Sequence, residues 1–552
     1  MKKFLIFLFI FSIKIFPQLE YVPIDHKVYD FLERMGYNHI IENYNSFEKP
    51  KPRREIASCL AEIIKKADKL SALDREILGR YKDEFEFDIS GSLDKSSRMF
   101  SGNEKYELFG NKEKYLYYLS DSSKINLFLS FVGSGEAIYS NNRIAGNSIN
   151  AGLVQYGGVL RGTVLNKMGF YFQATNGFYV GDRDAAILNK DVKQNYKFNE
   201  MGKGSYFDQT TGYVTADFDL LRVKFGRDRL QVGYGALSPL IDDNSAPVNY
   251  LSFDIKYKFL SFSYFHGKIL GNSYYAPDTV FGNVQVIPEK YVGYHRFGIN
   301  FSEDFTLGLG EIIIYANRPP DFSYINPFAF YKSIEHANQD RDNSMLFFDF
   351  TNNTIKGLKF YSTLLLDDMS FDKIGKGWYG NQTLWNFGVH TSVLDKYMPV
   401  DFSVEYLRIE PYVFTHHVPN NNYTNFGVPL SSNAQPNSEL IFSQFNYRLK
   451  YNLSVSVKLS YGRHGANPLN EDGSVKENVG GDINLGHRIN DGENVKFLDG
   501  FIEYKRSAGI SLFYEPYYDI SLNLNLVYFN NSLLKNIKEE NIQTFFTLSA
   551  KL

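Results

Sequence analysis

From about residue 86 to the C-terminus, apolar and polar positions alternate with a period of two. Leu251, Phe253, Ile255, Tyr257 and Phe259 are separated by Ser252, Asp254, Lys256 and Lys258. Met398, Val400, Phe402, Val404 and Tyr406 alternate with Asp401, Ser403 and Glu405. Tyr451, Leu453, Val455, Val457, Leu459 and Tyr461 alternate with Asn452, Ser454, Ser456, Lys458 and Ser460. Successive side chains of a strand point to opposite faces, so each stretch predicts a strand with one face against an apolar phase and the other against water. The N-terminal segment has a helical period instead. Val28, Phe31, Leu32 and Met35 recur until Gly36, and Ile56, Cys59, Leu60 and Ile63 mark a second helix after the Lys49-Pro50-Lys51-Pro52 linker. Ser71 caps a third helix, with Leu73, Ile77, Leu78 and Tyr81 on one face. Residues 19–85 are therefore expected to form a helical domain and residues 86–552 a β domain.

The connections narrow the β architecture. Tight turns are predicted at Leu165-Asn166-Lys167, Asp219-Leu220, Glu303-Asp304 and Asn352-Asn353-Thr354, near Asp395-Lys396 and near Lys450. Between the hairpins lie long polar connections, roughly 176–210, 228–249, 268–292, 316–343, 367–382, 409–438 and 463–496. Short and long connections take turns, as they do in outer-membrane barrels with short periplasmic turns and long extracellular loops. Soluble sandwiches and propellers have no reason for that asymmetry. The expected fold is an all-β transmembrane barrel of about 18 antiparallel strands with a small N-terminal periplasmic α-helical bundle. Strand parity does not close from sequence, because 86–119 and 507–530 are ambiguous, whereas a single-chain bacterial barrel should be even. Thr544, Phe546, Leu548, Ala550 and Leu552 give the last segment one apolar face, suited to insertion by the barrel-assembly machinery.

Composition adds support. The chain has 41 Tyr, 48 Phe and 2 Trp, yet its mean hydropathy is -0.30. A barrel needs only alternate residues to be apolar and gathers aromatics into interfacial girdles, although an AT-rich genome also enriches Phe and Tyr. Lys plus Arg is 59 and Asp plus Glu is 62, which leaves no basic surface for nucleic acid. The single cysteine, Cys59, excludes an internal disulfide and a thiolate metal site, and it lies on an apolar helix face. Met1 to about Gln18 reads as a signal peptide, with Lys2 and Lys3 ahead of the apolar run from Phe4 to Ile13. That run is too short for a confident membrane-spanning helix, which needs roughly 20 apolar residues. An exported barrel belongs in the outer membrane, with its helices in the periplasm and its long loops at the cell surface.

Several stretches resemble the capsule assembly protein Wzi family. They begin with Val22-Pro23, Val28-Tyr29-Asp30-Phe31-Leu32-Glu33-Arg34 and Lys51-Pro52-Arg53-Arg54-Glu55-Ile56. Phe225-Gly226-Arg227-Asp228-Arg229-Leu230 follows, running into Gly233-Tyr234-Gly235 and Leu237-Ser238. Next come Ile325-Asn326-Pro327-Phe328, Asp342-Asn343, Leu366-Asp367-Asp368, Val404-Glu405-Tyr406, Arg408, Pro411-Tyr412-Val413 and Thr415-His416. Asn422-Tyr423-Thr424, Phe497-Leu498-Asp499-Gly500 and Tyr514-Glu515-Pro516 complete the series. Each motif is weak alone, and their order is specific. The resemblance implies a barrel with a periplasmic helical bundle and a lectin-like role in anchoring capsular or extracellular polysaccharide.

Sugar binding needs flat apolar faces beside carboxylates, amides and Arg. The long loops supply such faces in Tyr274, Tyr275, Phe322, Tyr324, Trp378, Tyr379, Tyr412 and Tyr423, which otherwise pack the loops or line the interface belt. The candidate ligand-binding residues are Arg227, Asp228, Tyr324, Asn326, Asp342, Asn343, Asp367, Asp368, Tyr412 and His416. Arg227, Asp228 and Arg229 better suit a paired-charge network in the lumen, and Asp342, Asn343, Asp367 and Asp368 have the oxygen donors of a hard-cation site. Neither a Gly-x-Ser-x-Gly elbow, a His-Glu-x-x-His motif nor a phosphate loop is present, so the reading is a binding protein without cofactors. The rival readings are a porin-like channel for small solutes and a structural barrel serving as a partner platform. Expected partners are outer-membrane lipid, surface polysaccharide and the barrel-assembly machinery, with no nucleic acid.

Overall fold

The computed structural model describes residues 18–100, 106–121, 124–194, 206–244, 246–432, 434–534 and 537–552. The expected signal segment, Met1 to about Gln18, lies outside them except for its last residue. Among the described residues, eighteen antiparallel strands close into a barrel. In chain order they are β1 (Ile125–Asn142), β2 (Asn147–Val164), β3 (Met168–Gly181), β4 (Tyr206–Phe218), β5 (Leu221–Asp228) and β6 (Val248–Tyr257). Then follow β7 (Leu260–Leu270), β8 (Glu289–Ser302), β9 (Phe305–Ala316), β10 (Asn343–Asn352), β11 (Leu358–Asp368) and β12 (Gln382–Thr391). The last six are β13 (Val400–Ile409), β14 (Ser438–Lys450), β15 (Leu453–Ala466), β16 (Phe501–Tyr517), β17 (Ile520–Leu533) and β18 (Ile537–Lys551). Closure is made by β18 on β1, from Asn541↔Asn142 to Lys551↔Val132. Where β18 runs out, the short strand Tyr117–Asp121 takes over the edge of β1 from Leu129 to Ile125. The ambiguous 507–530 stretch spans parts of both β16 and β17, and the described part of 86–119 contributes no full-length strand, so the count is even.

The period-two pattern sorts the wall as expected. Leu524 and Leu526 of β17 and Phe546 and Leu548 of β18 are exposed on the outside. Ser521, Asn523 and Asn525 of β17, with Thr547 and Ser549 of β18, line the inside. No helix among the described residues is long and apolar enough to cross a membrane. One end of the barrel carries short connections, among them the tight 165–167, 219–220, 258–259, 303–304, 451–452 and 518–519, the longest being 392–399. The other end carries the long loops 182–205, 229–247, 271–288, 317–342, 369–381, 410–437 and 467–500, and also the short connections 143–146 and 534–536.

Helices α1 (Val28–Tyr37), α2 (Arg53–Lys65), α3 (Ala72–Glu84) and α4 (Glu86–Ser90) share a core of Val28, Phe31, Leu32, Ile56, Leu60, Ile63, Ile77 and Ile89. Ser71 caps α3, its Oγ accepting from Asp74 N at 3.0 Å. The unit docks in the short-turn mouth through buried charge. Arg34 of α1 lies 2.5 Å from Asp74 of α3, and also 3.8 and 3.7 Å from Asp395 and Asp401 of the barrel. Arg80 joins Glu113 at 2.6 Å and Glu515 at 2.9 Å. Burial opposes ionisation of Glu33, but Lys359 of β11, 2.5 Å away, prevails and holds its pKa well below the usual carboxylate range.

The lumen has two unlike halves. Along β6 to β13 an apolar cluster on the inner face packs against Phe47, the inward-folded loop from Val232 to Ile241, and Val413, Phe414, Tyr423 and Leu430 of loop 410–437. Glu405 of β13 pins the first of these loops, accepting from Ala236 N at 2.7 Å and Leu237 N at 2.9 Å. Tyr423 Oη ties the two loops together by donating to Leu240 O at 3.0 Å. Along β15 to β18 and β1 to β4 the inner face is polar and surrounds a cavity of about 1110 Å³.

Candidate functional site

The alternation of side chains across the wall separates neighbouring candidates. Asp228 faces inward, beside Lys224 at 2.5 Å, whereas Arg227 shares the outward face of β5 with Phe225 and donates to Thr210 O at 3.2 Å. Arg229 bridges Asp243 at 2.8 Å and Asp191 within the mouth. Asp342 lies on the outer side, where it takes two hydrogen bonds of 2.7 Å from Arg318 and one of 2.8 Å from Tyr324 Oη. Asn343 lies on the inner side, and its Nδ2 donates to Thr415 O at 3.3 Å and Asn421 O at 3.1 Å. Asp367 accepts from Phe414 N at 2.6 Å inside the mouth, while Asp368 pairs with Lys332 at 3.1 Å outside. These four oxygen donors therefore straddle the wall and do not converge on one ion. No other group of three or more metal-ligating side chains comes together among the described residues.

Asn326 is exposed and accepts from Phe328 N at 3.1 Å within its own turn. Tyr324 is fully buried against Tyr315 and Tyr331. His416 lies in loop 410–437, its ring 4.1 Å from that of His417, and Tyr423 belongs to the lumen plug. Tyr412 leads to a coherent surface.

At the long-loop mouth, loops 369–381 and 467–500 are zipped together by Tyr379 N to Glu493 O at 2.9 Å and Val495 N to Gly377 O at 2.8 Å. This sets Trp378, Tyr379 and His487 side by side. The Tyr379 and His487 rings stack at 3.6 Å and 13°, and Trp378 lies 5.3 Å from Tyr379. Tyr412 is the buried floor, 5.7 Å from Tyr379, with its Oη donating to Asn478 O at 2.8 Å. Gly480 permits that floor: its φ is 67°, and a Cβ there would meet Tyr412 at 2.5 Å. The half-buried rings are rimmed by ions. Lys373 Nζ lies 4.1 Å over Trp378, and Arg488 pairs with Asp491 at 2.8 Å. Partial burial disfavours the Asp491 carboxylate, but Arg488 outweighs it and lowers its pKa, which keeps it an acceptor at neutral pH. Flat π faces flanked by a fixed carboxylate, a guanidinium and an ammonium can stack on the apolar side of a sugar ring and bond its hydroxyls.

Trp378, Tyr379 and Tyr412 were legible as aromatic loop residues. His487, Arg488 and Asp491 were not, because they join Trp378 and Tyr379 from more than a hundred residues away with no local motif.

The polar cavity is the other candidate. Gln155 Nε2 donates to Thr175 Oγ1 at 2.7 Å and Gln209 Oε1 at 3.1 Å, and Asn523 and Asn525 of β17 line the same cavity. Over this half, at the long-loop end, Ala185, Ala186 and Val192 pack on Ile138, Leu153 and Phe207 of the wall. Asn189 donates to Glu136 at 2.5 Å and ties this segment to β1.

A family model described as capsule assembly protein Wzi matches residues 79–533. Among solved structures, the chain is similar to Wzi of Escherichia coli, an outer-membrane protein described as involved in group 1 capsule assembly and as a carbohydrate-binding β-barrel. The identity is 13%, the match covers 96% of this chain and 98% of that one, and the TM-score is 0.58. Pseudomonas aeruginosa OpdQ matches at 7% identity over 77% of this chain and 97% of its own, with a TM-score of 0.44. Acinetobacter baumannii OccAB4 matches at 10% over 77% and 98%, with a TM-score of 0.43. At such identities the first likeness is one of fold, and the other two carry no argument. No curated protein matches the sequence.

Proposed function

The chain belongs to the capsule assembly protein Wzi family and is an outer-membrane barrel of that type, and from this premise we propose that it binds exported capsular or extracellular polysaccharide and holds it at the cell surface. On this reading the helical unit faces the periplasm, the long loops face the exterior, and the protein binds without catalysing a reaction. The supporting observation is the mouth cluster of Trp378, Tyr379 and His487 over Tyr412, with Lys373, Arg488 and Asp491 beside it. Repeated weak contacts along a polymer, and among many copies in the membrane, sum to retention that no single site needs to supply.

The test is a deletion strain complemented with wild type or with the double variant Trp378→Ala, Tyr379→Ala. Polymer shed into the medium is measured against polymer held on the cell. The double variant is expected to bind purified polymer about tenfold more weakly, equivalent to about 1.4 kcal/mol, and to shed it. Full retention by correctly inserted double variant would sink the assignment of the site.

The cavity of about 1110 Å³ favours a second reading as a solute channel. The apolar plug along β6 to β13 and the collar around Val192 weigh against it.

A further inference from the structure

Loop 317–342 does not stay at the mouth. It leaves β9 and doubles back over the outside of the wall. Its Ile325 O accepts from Tyr264 Oη at 2.6 Å, and its Phe328 ring stacks on Phe262 at 5.0 Å and 15°. Tyr264 and Phe262 are outward residues of β7, whose inward neighbours Ser263 and Phe265 meet Glu48 and the lumen core. From the rim at Leu270 to Phe262 the loop descends roughly 20 Å, taking strand rise and a typical tilt. An outer-membrane barrel has an apolar band only about 25 Å tall.

The wall under this loop departs from the apolar pattern that a lipid-facing belt requires. One cross-strand row of outward residues runs Phe253↔Tyr264↔His295↔Glu311↔Leu346↔Leu366. Its ends are apolar, as a lipid-facing row requires. Its centre holds an ion-pairing couple, with His295 Nε2 3.1 Å from Glu311 Oε2. Bare against acyl chains, this pair would be strongly disfavoured. It is instead 5% and 2% exposed, and its cover is the loop itself. Glu311 accepts from Tyr331 N at 2.9 Å and Lys332 N at 3.2 Å, and the Tyr331 ring lies 4.6 Å from His295. Beyond this cover the loop leaves Phe322, Phe328 (one face on Phe262) and Phe330 exposed, at 87%, 67% and 55%. These continue the exposed outward belt of Phe297, Leu309 and Phe348.

We propose that residues 317–342 form a lipid-immersed flap, whose occupant on the outer side is the acyl-chain layer of the membrane, contacted by Phe322, Phe328 and Phe330. The flap replaces a polar patch of wall with an apolar one, and Glu311 is the clasp that holds it. Tyr324, Asn326 and Asp342 then serve the wall and not the glycan surface, so the inference stands whether or not polysaccharide is the ligand.

The two native tryptophans supply the references. Trp385 lies in the outward belt beside Phe387, and Trp378 lies at the mouth. Three proteins are reconstituted in phosphatidylcholine bilayers with and without dibrominated acyl chains: Trp378→Phe, Trp385→Phe, and both substitutions together with Phe328→Trp. Heat-modifiable migration confirms folding. The new indole is expected to lose at least half the fluorescence fraction that Trp385 loses to brominated chains, and to resist aqueous acrylamide. Quenching by acrylamide to the extent seen for Trp378, with none from brominated lipid, would overturn the proposal. Phe322→Trp in the same background gives the same reading should the first variant fail to fold.

Discussion

His416 illustrates chemistry decided by one hydrogen bond. Its Nδ1 accepts from Val418 N at 3.0 Å, so a ring proton is confined to Nε2. Burial first, and the neighbouring His417 second, lower its pKa from 6.5 to about 4. A folded value below the unfolded one means that the unfolded chain takes up the proton first as pH falls. The stability His416 contributes is therefore present above about pH 6.5 and is lost as pH drops toward 4. Hydrogen-exchange protection of residues 412–424, corrected for intrinsic rates, is expected to fall across that window, and His416→Phe to flatten the response. Equal protection at pH 4.5 and 7.5 in the wild type would count against it. The sequence names this histidine as a loop residue near a glycan surface, but only packing supplies the burial that sets its charge. Arg227 and Asp228 carry the same lesson, since adjacent charges that look like one site face opposite sides of β5.

At the scale of elements, the strands were legible because each has one face against lipid, which imposes a strict period of two. The turn at 258–259 carries no Gly, Asn, Asp or Pro, and Lys258 adopts a φ of 54° without announcing it. Loop lengths were also legible, but not what the loops fold onto. Loop 229–247 turns into the lumen because Glu405 offers a buried carboxylate to two of its N–H groups. Glu405→Ala is expected to cost about 1–3 kcal/mol for each orphaned N–H and to loosen the plug, with smaller losses for Glu405→Gln. In planar bilayers the wild type is expected to show little steady conductance and Glu405→Ala frequent openings. Large, steady wild-type openings would favour the channel reading.

At the scale of the whole molecule, a small helical unit gains its stability from the barrel it closes. Arg34 is nearly buried and faces Asp74, Asp395 and Asp401, while Arg448 neutralises the last two from the other side. Removing one partner of such a network strands the remaining charges, so Arg34→Ala is expected to cost about 3–5 kcal/mol. Limited proteolysis within 28–90 should accelerate while the barrel keeps its heat-modifiable migration. The sequence by itself determined the barrel, its loop asymmetry, its helical preface and, through ordered motifs, its family, because lipid and helix periodicities act on residues close along the chain. Tertiary structure alone decided which half of the lumen is filled, that Tyr379, His487 and Tyr412 meet, and that loop 317–342 lies on the outer wall. Those outcomes depend on partners tens to hundreds of residues apart, and no local pattern encodes which partner is met.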